Sequence, residues 1–137
     1  MNGSVYVADA GAMIAYLRNE TGGDVFLALV EDPASTTYAH GANLVEVFYE
    51  FRRSDGEEDA QTALRALLEI GIVFREDFDR PFWEDAARIK ADHRRVSLAD
   101  CYGLAFARRV GAAFLTTDKH ELDRDEIKAL YAIQFVR

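Results

Sequence analysis

The chain has 137 residues, half of them hydrophobic, which is enough for one well-buried core and too little for two ordinary domains. A single cysteine, Cys101, excludes an internal disulfide and every multi-cysteine zinc site, in keeping with a reducing compartment. The formal net charge of -8 argues against a nucleic-acid scaffold of the ordinary basic kind, but not against a nuclease whose own carboxylates contribute to that total.

The N-terminus carries no basic region followed by a long apolar stretch, and no apolar run approaches the ~20 residues that span a bilayer. A soluble, cytoplasmic protein is expected. Val5-Tyr6-Val7-Ala8 is a short apolar run ending at Asp9 and reads as a buried strand. Residues 10–18 and 24–31 read as helices, separated by the turn signal Gly22-Gly23. Residues 35–38 are β-branched and aromatic and predict a second strand.

Leu44, Val47, Phe48 and Phe51 recur at helical spacing, so residues 41–53 form an amphipathic helix. Ala60, Leu64, Leu67 and Leu68 mark another, stopped near Gly71, and residues 72–74 are a third strand. Helices over residues 82–93 and 98–110 follow, the second ending at Gly111 as a C-terminal cap predicts. Residues 113–116 and 132–136 supply a fourth and a fifth strand. Strands alternating with helices predict a single α/β domain over residues 1–137, three-layer α/β/α, with a central, mostly parallel sheet of about five strands. Ligands of such sheets collect at the carboxyl ends of the strands, where Asp9 and Asp118 both fall.

Four acids stand out, each with two readings. Asp9 and Asp118 can cap the helices they precede, Asp118 with Glu121 three residues on. Ser97-Leu98-Ala99-Asp100 fits a capping box. Glu46 can sit on a solvated helix face. Against this, Glu46 lies in Asn43-Leu44-Val45-Glu46-Val47-Phe48, where an unpaired carboxylate is costly. Asp100 is flanked on its helix face by the small residues Ser97 and Gly103, which would leave room for a ligand. Acids brought together in this way need a cation, and oxygen-only ligation selects Mg²⁺ or Mn²⁺ over zinc.

With these elements in order, the sequence resembles the PIN domains, and in particular the VapC-type toxin ribonucleases. The matching segments are Val7-Ala8-Asp9-Ala10, Asn43-Leu44-Val45-Glu46-Val47, Ser97-Leu98-Ala99-Asp100-Cys101 and Leu115-Thr116-Thr117-Asp118. Ala10 departs from the Ser or Thr common after the first acid. The resemblance implies a PIN-like parallel α/β sandwich and Mg²⁺- or Mn²⁺-dependent cleavage of RNA. It makes Asp9 and Asp100 direct metal ligands, with Glu46 and Asp118 completing an acidic catalytic pocket. It also implies an orienting role for Thr116 or Thr117, and a small antitoxin protein as partner. A PIN nuclease of RNA processing, or a PIN fold kept as an interaction module without catalysis, are the alternatives.

Metal-assisted hydrolysis of a phosphodiester needs no nucleophilic Ser or Cys, and Cys101 reads as core. His40, His93 and His120 lack metal-ligand spacing and read as structural or solvated. Gly22-Gly23 lacks the following Lys-Ser/Thr of a phosphate loop. Gly11 stands where aspartyl-phosphate phosphatases place a second Asp. Residues 88–95 carry Arg88, Lys90, Arg94, Arg95 and His93 against Asp92, a candidate RNA-phosphate edge or a solvated helix end. The aromatic load of Tyr16, Phe26, Phe48, Tyr49, Phe51, Phe78, Phe82 and Trp83 predicts apolar surface covered by a partner, a second copy in a homodimer or an antitoxin.

Overall fold

The uninterrupted apolar run Val5–Ala8 is the central strand, β1, of the computed structural model, which describes residues 3–137. The chain then runs through α1 (Ala10–Leu17), α2 (Gly23–Glu31), β2 (Thr36–His40), α3 (Gly41–Asp55), α4 (Glu57–Glu69) and β3 (Val73–Arg75). It continues with α5 (Arg80–Asp92), α6 (Leu98–Val110), β4 (Ala113–Thr116), α7 (Lys119–Leu122), α8 (Asp125–Lys128) and β5 (Ile133–Phe135). All strand pairs are parallel, in the order β3-β2-β1-β4-β5. The expected five-stranded parallel sheet is present.

Strand alternation decides which helices cover which face. Val7 pairs with Phe114, and both point into a core built with Phe82, Ala86 and Ile89 of α5 and Leu104 and Phe106 of α6. Ala8 pairs with Leu115, and both point the other way, toward Met13 of α1, Phe26 of α2, Leu44 and Val47 of α3 and Leu67 of α4. The result is the three-layer α/β/α arrangement. Phe26, Phe106 and Phe114 are completely buried, each contributing about 2–3 kcal/mol by removal from water.

Strand β2 runs on to His40, two residues beyond the expected strand, and α3 starts at the next residue. The imidazole replaces a loop: His40 Nδ1 accepts from the Ala42 N–H at 3.0 Å, and Nε2 donates to the Asp77 carbonyl at 2.8 Å. The four-residue helices α7 and α8 were not legible in the periodicity, being about one turn each. Of the aromatic residues, Phe26 and Phe82 are buried, Tyr16, Phe48 and Phe51 partly so, and Tyr49, Phe78 and Trp83 are exposed. Among the described residues, no helix is long and apolar enough to cross a membrane.

The strand order sets the location of the site. The chain moves outward from β1 through β2 to β3, then returns to place β4 on the other flank of β1. Helical connections therefore diverge above the carboxyl ends of β1 and β4, where a crevice opens in sheets of this kind.

Candidate active site

Asp9 is the first residue after β1 and Thr116 the last of β4, and they meet across the crevice. The Asp9 N–H donates to the Leu115 carbonyl at 2.9 Å, which continues the sheet ladder by one bond. Asp9 Oδ1 accepts from the Ala12 N–H at 2.8 Å and so caps α1. Asp9 Oδ2 accepts from the Thr116 hydroxyl, whose oxygen in turn accepts from the Asp118 N–H at 2.9 Å. Thr116 is fully buried and ties two acids together. Asp118 caps α7, its Oδ1 accepting from the Glu121 N–H at 3.0 Å. Both cap expectations hold, and they leave these carboxylates facing the same crevice.

Asp100 is the third residue of α6, whose cap is Ser97: the Asp100 N–H donates to Ser97 Oγ at 3.2 Å. The expected capping box does not close through Asp100. The Ser97 N–H donates instead to Glu121 Oε2 at 3.1 Å, so an acceptor brought in by α7 takes the place the third helical residue has in a capping box. Among the described residues the Asp100 carboxylate has no hydrogen-bond partner, though only 7% of the residue is exposed. Glu46 projects from the second turn of α3, half-buried. Asn43, one turn earlier, donates from Nδ2 to the Ala99 carbonyl at 3.3 Å and fastens α3 to the first turn of α6.

These residues line one polar pocket of 290 Å³, with Asp9, Glu46, Asp100, Asp118 and Glu121 on its walls beside Gly11, Ser97 and Thr117. The four acids singled out in the sequence are brought together, and a fifth joins them. Glu121 was read only as a capping partner; the signal that could have found it is an acid one helical turn after Asp118. Oxygens of Asp100, Asp118 and Glu121 all lie within 4.8 Å of one another. Among the described residues, no Lys or Arg lines the pocket. Gly11 gives the site its closeness, since a Cβ there would sit 2.4 Å from Thr117 Oγ1.

Burial and like charge leave their mark on titration. Burial raises Asp9 to about 7, aided by Asp118 and Glu46 and opposed by the bonds from Thr116 and Ala12. Burial raises Asp100 to about 8, and Asp9, Glu46, Asp118 and Glu121 all push the same way. Glu46 is raised by burial first, then by Glu121 and Glu50. A pocket that favours protons on its carboxylates in this way is one that a divalent cation can discharge. Its all-oxygen donor set suits a hard ion such as Mg²⁺ or Mn²⁺.

Three expectations change. Gly103 does not open space for a ligand at Asp100; it is buried, and a Cβ there would lie 2.4 Å from the Phe114 ring and 2.8 Å from Asn43 Oδ1. Its lack of a side chain lets α6 pack on β4 and α3. Thr116 is committed to the acids, whereas Thr117 lines the pocket. In the basic stretch, Arg88 faces Glu84 at 3.9 Å, and Lys90 Nζ donates to the carbonyls of Arg94 and Val96 at 2.9 and 2.7 Å. Arg94 and Arg95 remain exposed. Cys101 is core, its thiol pushed up to about 11 chiefly by burial. His93 packs edge-on against Tyr131, and His120 is exposed.

Sequence and structure comparisons agree in direction. The family model of the PIN domain matches residues 6–126. No curated protein sequence matches the chain. Among solved structures, the chain is similar to VapBC2 from Rickettsia felis, bound to a DNA fragment from its promoter. There the TM-score is 0.71 and the identity 15%, over 96% of this chain and 98% of that one. DNA-bound VapBC from Salmonella typhimurium gives a TM-score of 0.71 at 14% identity, over 98% of this chain and 99% of that one. VapC20 from Mycobacterium tuberculosis, a toxin that cleaves the sarcin-ricin loop, gives 0.69 at 18% identity, covering 93% of this chain and 96% of that one.

Proposed function

The chain belongs to the PIN domain family, a family of nucleases, and from that premise we propose that it is an Mg²⁺- or Mn²⁺-dependent endoribonuclease, the toxin of a type II toxin–antitoxin pair. The observation that carries the reading is the pocket whose walls, among the described residues, bring together five carboxylates and no cationic side chain. Asp100, Asp118 and Glu121, whose oxygens lie within 4.8 Å of one another, would hold the metal together with Asp9, and Glu46 would complete the acidic wall. A bound divalent cation lowers the pKa of a coordinated water and neutralises charge on a phosphodiester oxygen. The protein's own part is positional. Thr116 fixes Asp9 and the Asp118 backbone, Asn43 sets α3 against α6, and Thr117 lines the pocket where it can orient a phosphate oxygen or a water.

The same reading assigns a small antitoxin as partner, in line with the toxin–antitoxin complexes among the structures that share this fold. Tyr49, Phe78 and Trp83 supply exposed aromatic surface for it, or for a second copy in a homodimer. Purified protein incubated with total RNA should cleave it with Mg²⁺ or Mn²⁺ and not with EDTA. Asp9→Ala and Asp100→Ala should each abolish cleavage while circular dichroism shows an intact fold. Cleavage that persists in EDTA, or in either variant, rejects the assignment.

A further inference from the structure

The acidic pocket has a neighbour that carries arginines. The loop between α5 and α6 lies against the α7–α8 turn, and together they form a second cleft of 480 Å³ where His93, Arg94, Arg95 and Arg124 share the walls with Asp92, Glu121 and Glu126. The two cavities share a wall. Glu121 lines both, Val96 lines the arginine-bearing one and Ser97 the acidic one, and the bond from the Ser97 N–H to Glu121 holds that wall together.

The cations in this region divide by what they already do. Arg88 is turned to Glu84, and Lys90 braces the loop by donating to two of its carbonyls. Arg124 has one carboxylate partner, Glu126, at 3.6 Å. Arg94 and Arg95 are exposed, and among the described residues neither forms an ion pair. A protein of net charge -8 thus displays two uncommitted guanidinium groups directly beside its acidic pocket. Planar guanidinium groups match the geometry of phosphate oxygens, and their charge offsets the repulsion a polyanion meets at the acids.

We infer that this cleft is a phosphate subsite, in which Arg94, Arg95 and Arg124 hold the RNA backbone next to the scissile phosphate as the strand crosses the Glu121 wall. The inference rests on the ribonuclease reading for its substrate, but its test does not depend on cleavage. Binding of a fluorescein-labelled single-stranded oligouridylate is followed by anisotropy in EDTA across a salt series. Arg94→Gln with Arg95→Gln should weaken binding about tenfold or more, and lower the log–log salt slope by about 0.7 for each lost contact. Arg88→Gln should leave both unchanged, and Arg94→Lys with Arg95→Lys should restore most of the slope.

Four results overturn the subsite: no binding by wild type at low salt, an unchanged slope in the Gln pair, an equal loss in Arg88→Gln, or competition by polyglutamate as strong as by RNA. Mg²⁺-dependent cleavage measured on the same proteins separates the two readings. Cleavage with an unaffected slope removes the subsite alone. A lowered slope in a protein that never cleaves removes the nuclease assignment alone.

Discussion

Asp100→Asn should stabilise the metal-free protein. The substitution isolates charge, because the Asp100 carboxylate has no hydrogen-bond partner among the described residues and Asn keeps its size. Burial together with four neighbouring acids raises Asp100 from 3.8 to about 8. The native state therefore holds more protons than the unfolded chain between pH 4 and 8, so the slope of unfolding free energy against pH is negative there. The contribution is fully present near pH 4 and is lost as pH rises toward 8. A shift of roughly four units corresponds to about 5 kcal/mol at 1.36 kcal/mol per unit. Asp9 and Asp100 belong to one acidic group, so protonating one eases the other, and a gain of at least about 2 kcal/mol is expected for the variant at pH 7.5. For a chain of this length that is a rise of about 6 °C or more in Tm. The assay is urea and thermal unfolding of both proteins in EDTA at pH 4.5 and 7.5, with Mg²⁺ added in a second series. The variant should match wild type at pH 4.5, exceed it at pH 7.5, and lose most of the Mg²⁺ increment, which for wild type approaches 2.7 kcal/mol at a hundredfold excess over Kd. An Asp100→Asn protein no more stable than wild type at pH 7.5 would refute the acidic-pocket reasoning, whatever its activity.

Thr116→Val should cost about 1–3 kcal/mol in urea unfolding and depress Mg²⁺-dependent cleavage, since it strands the Asp118 N–H and one oxygen of Asp9; Thr116→Ser should recover both. Glu121→Gln can still accept the Ser97 N–H and removes a charge that raises Asp100 and Glu46, so its stability in EDTA at pH 7.5 should be no lower than that of wild type while Mg²⁺ affinity measured by calorimetry falls. Unaltered affinity would return Glu121 to a purely capping role. Iodoacetamide at pH 7.5 should alkylate Cys101 in the native protein at least about a hundredfold more slowly than in urea, because the buried thiol is held near 11.

Elements with a strong local pattern were legible in the sequence. The bounds of α6 and β4 agree with the reading, because Ser97 and Gly111 punctuate the helix and the strand is an unbroken apolar run. The acids were found for a related reason: each sits at or just beyond a strand end, or in the first turns of a helix, where topology rather than local preference gives it meaning. What stayed hidden required side-chain reach. That Glu121, not Asp100, closes on Ser97 depends on α7 lying against the α6 cap, a contact 24 residues apart in the chain. The dual use of Gly103, and the loss of Lys90 from the basic edge to loop carbonyls, likewise follow from packing that no spacing encodes.

The strand order also governs when the acidic pocket can exist. In a chain growing from its N-terminus, β1, β2 and β3 and their helices are all made before the strand that must lie against the free flank of β1. Until residues 113–116 are synthesised, that flank carries unpaired backbone groups, and Asp9 lacks both the Leu115 carbonyl and the Thr116 hydroxyl. Asp118 and Glu121 come later still. A nascent or truncated polypeptide therefore holds only part of the carboxylate set until residues 113–121 have been made.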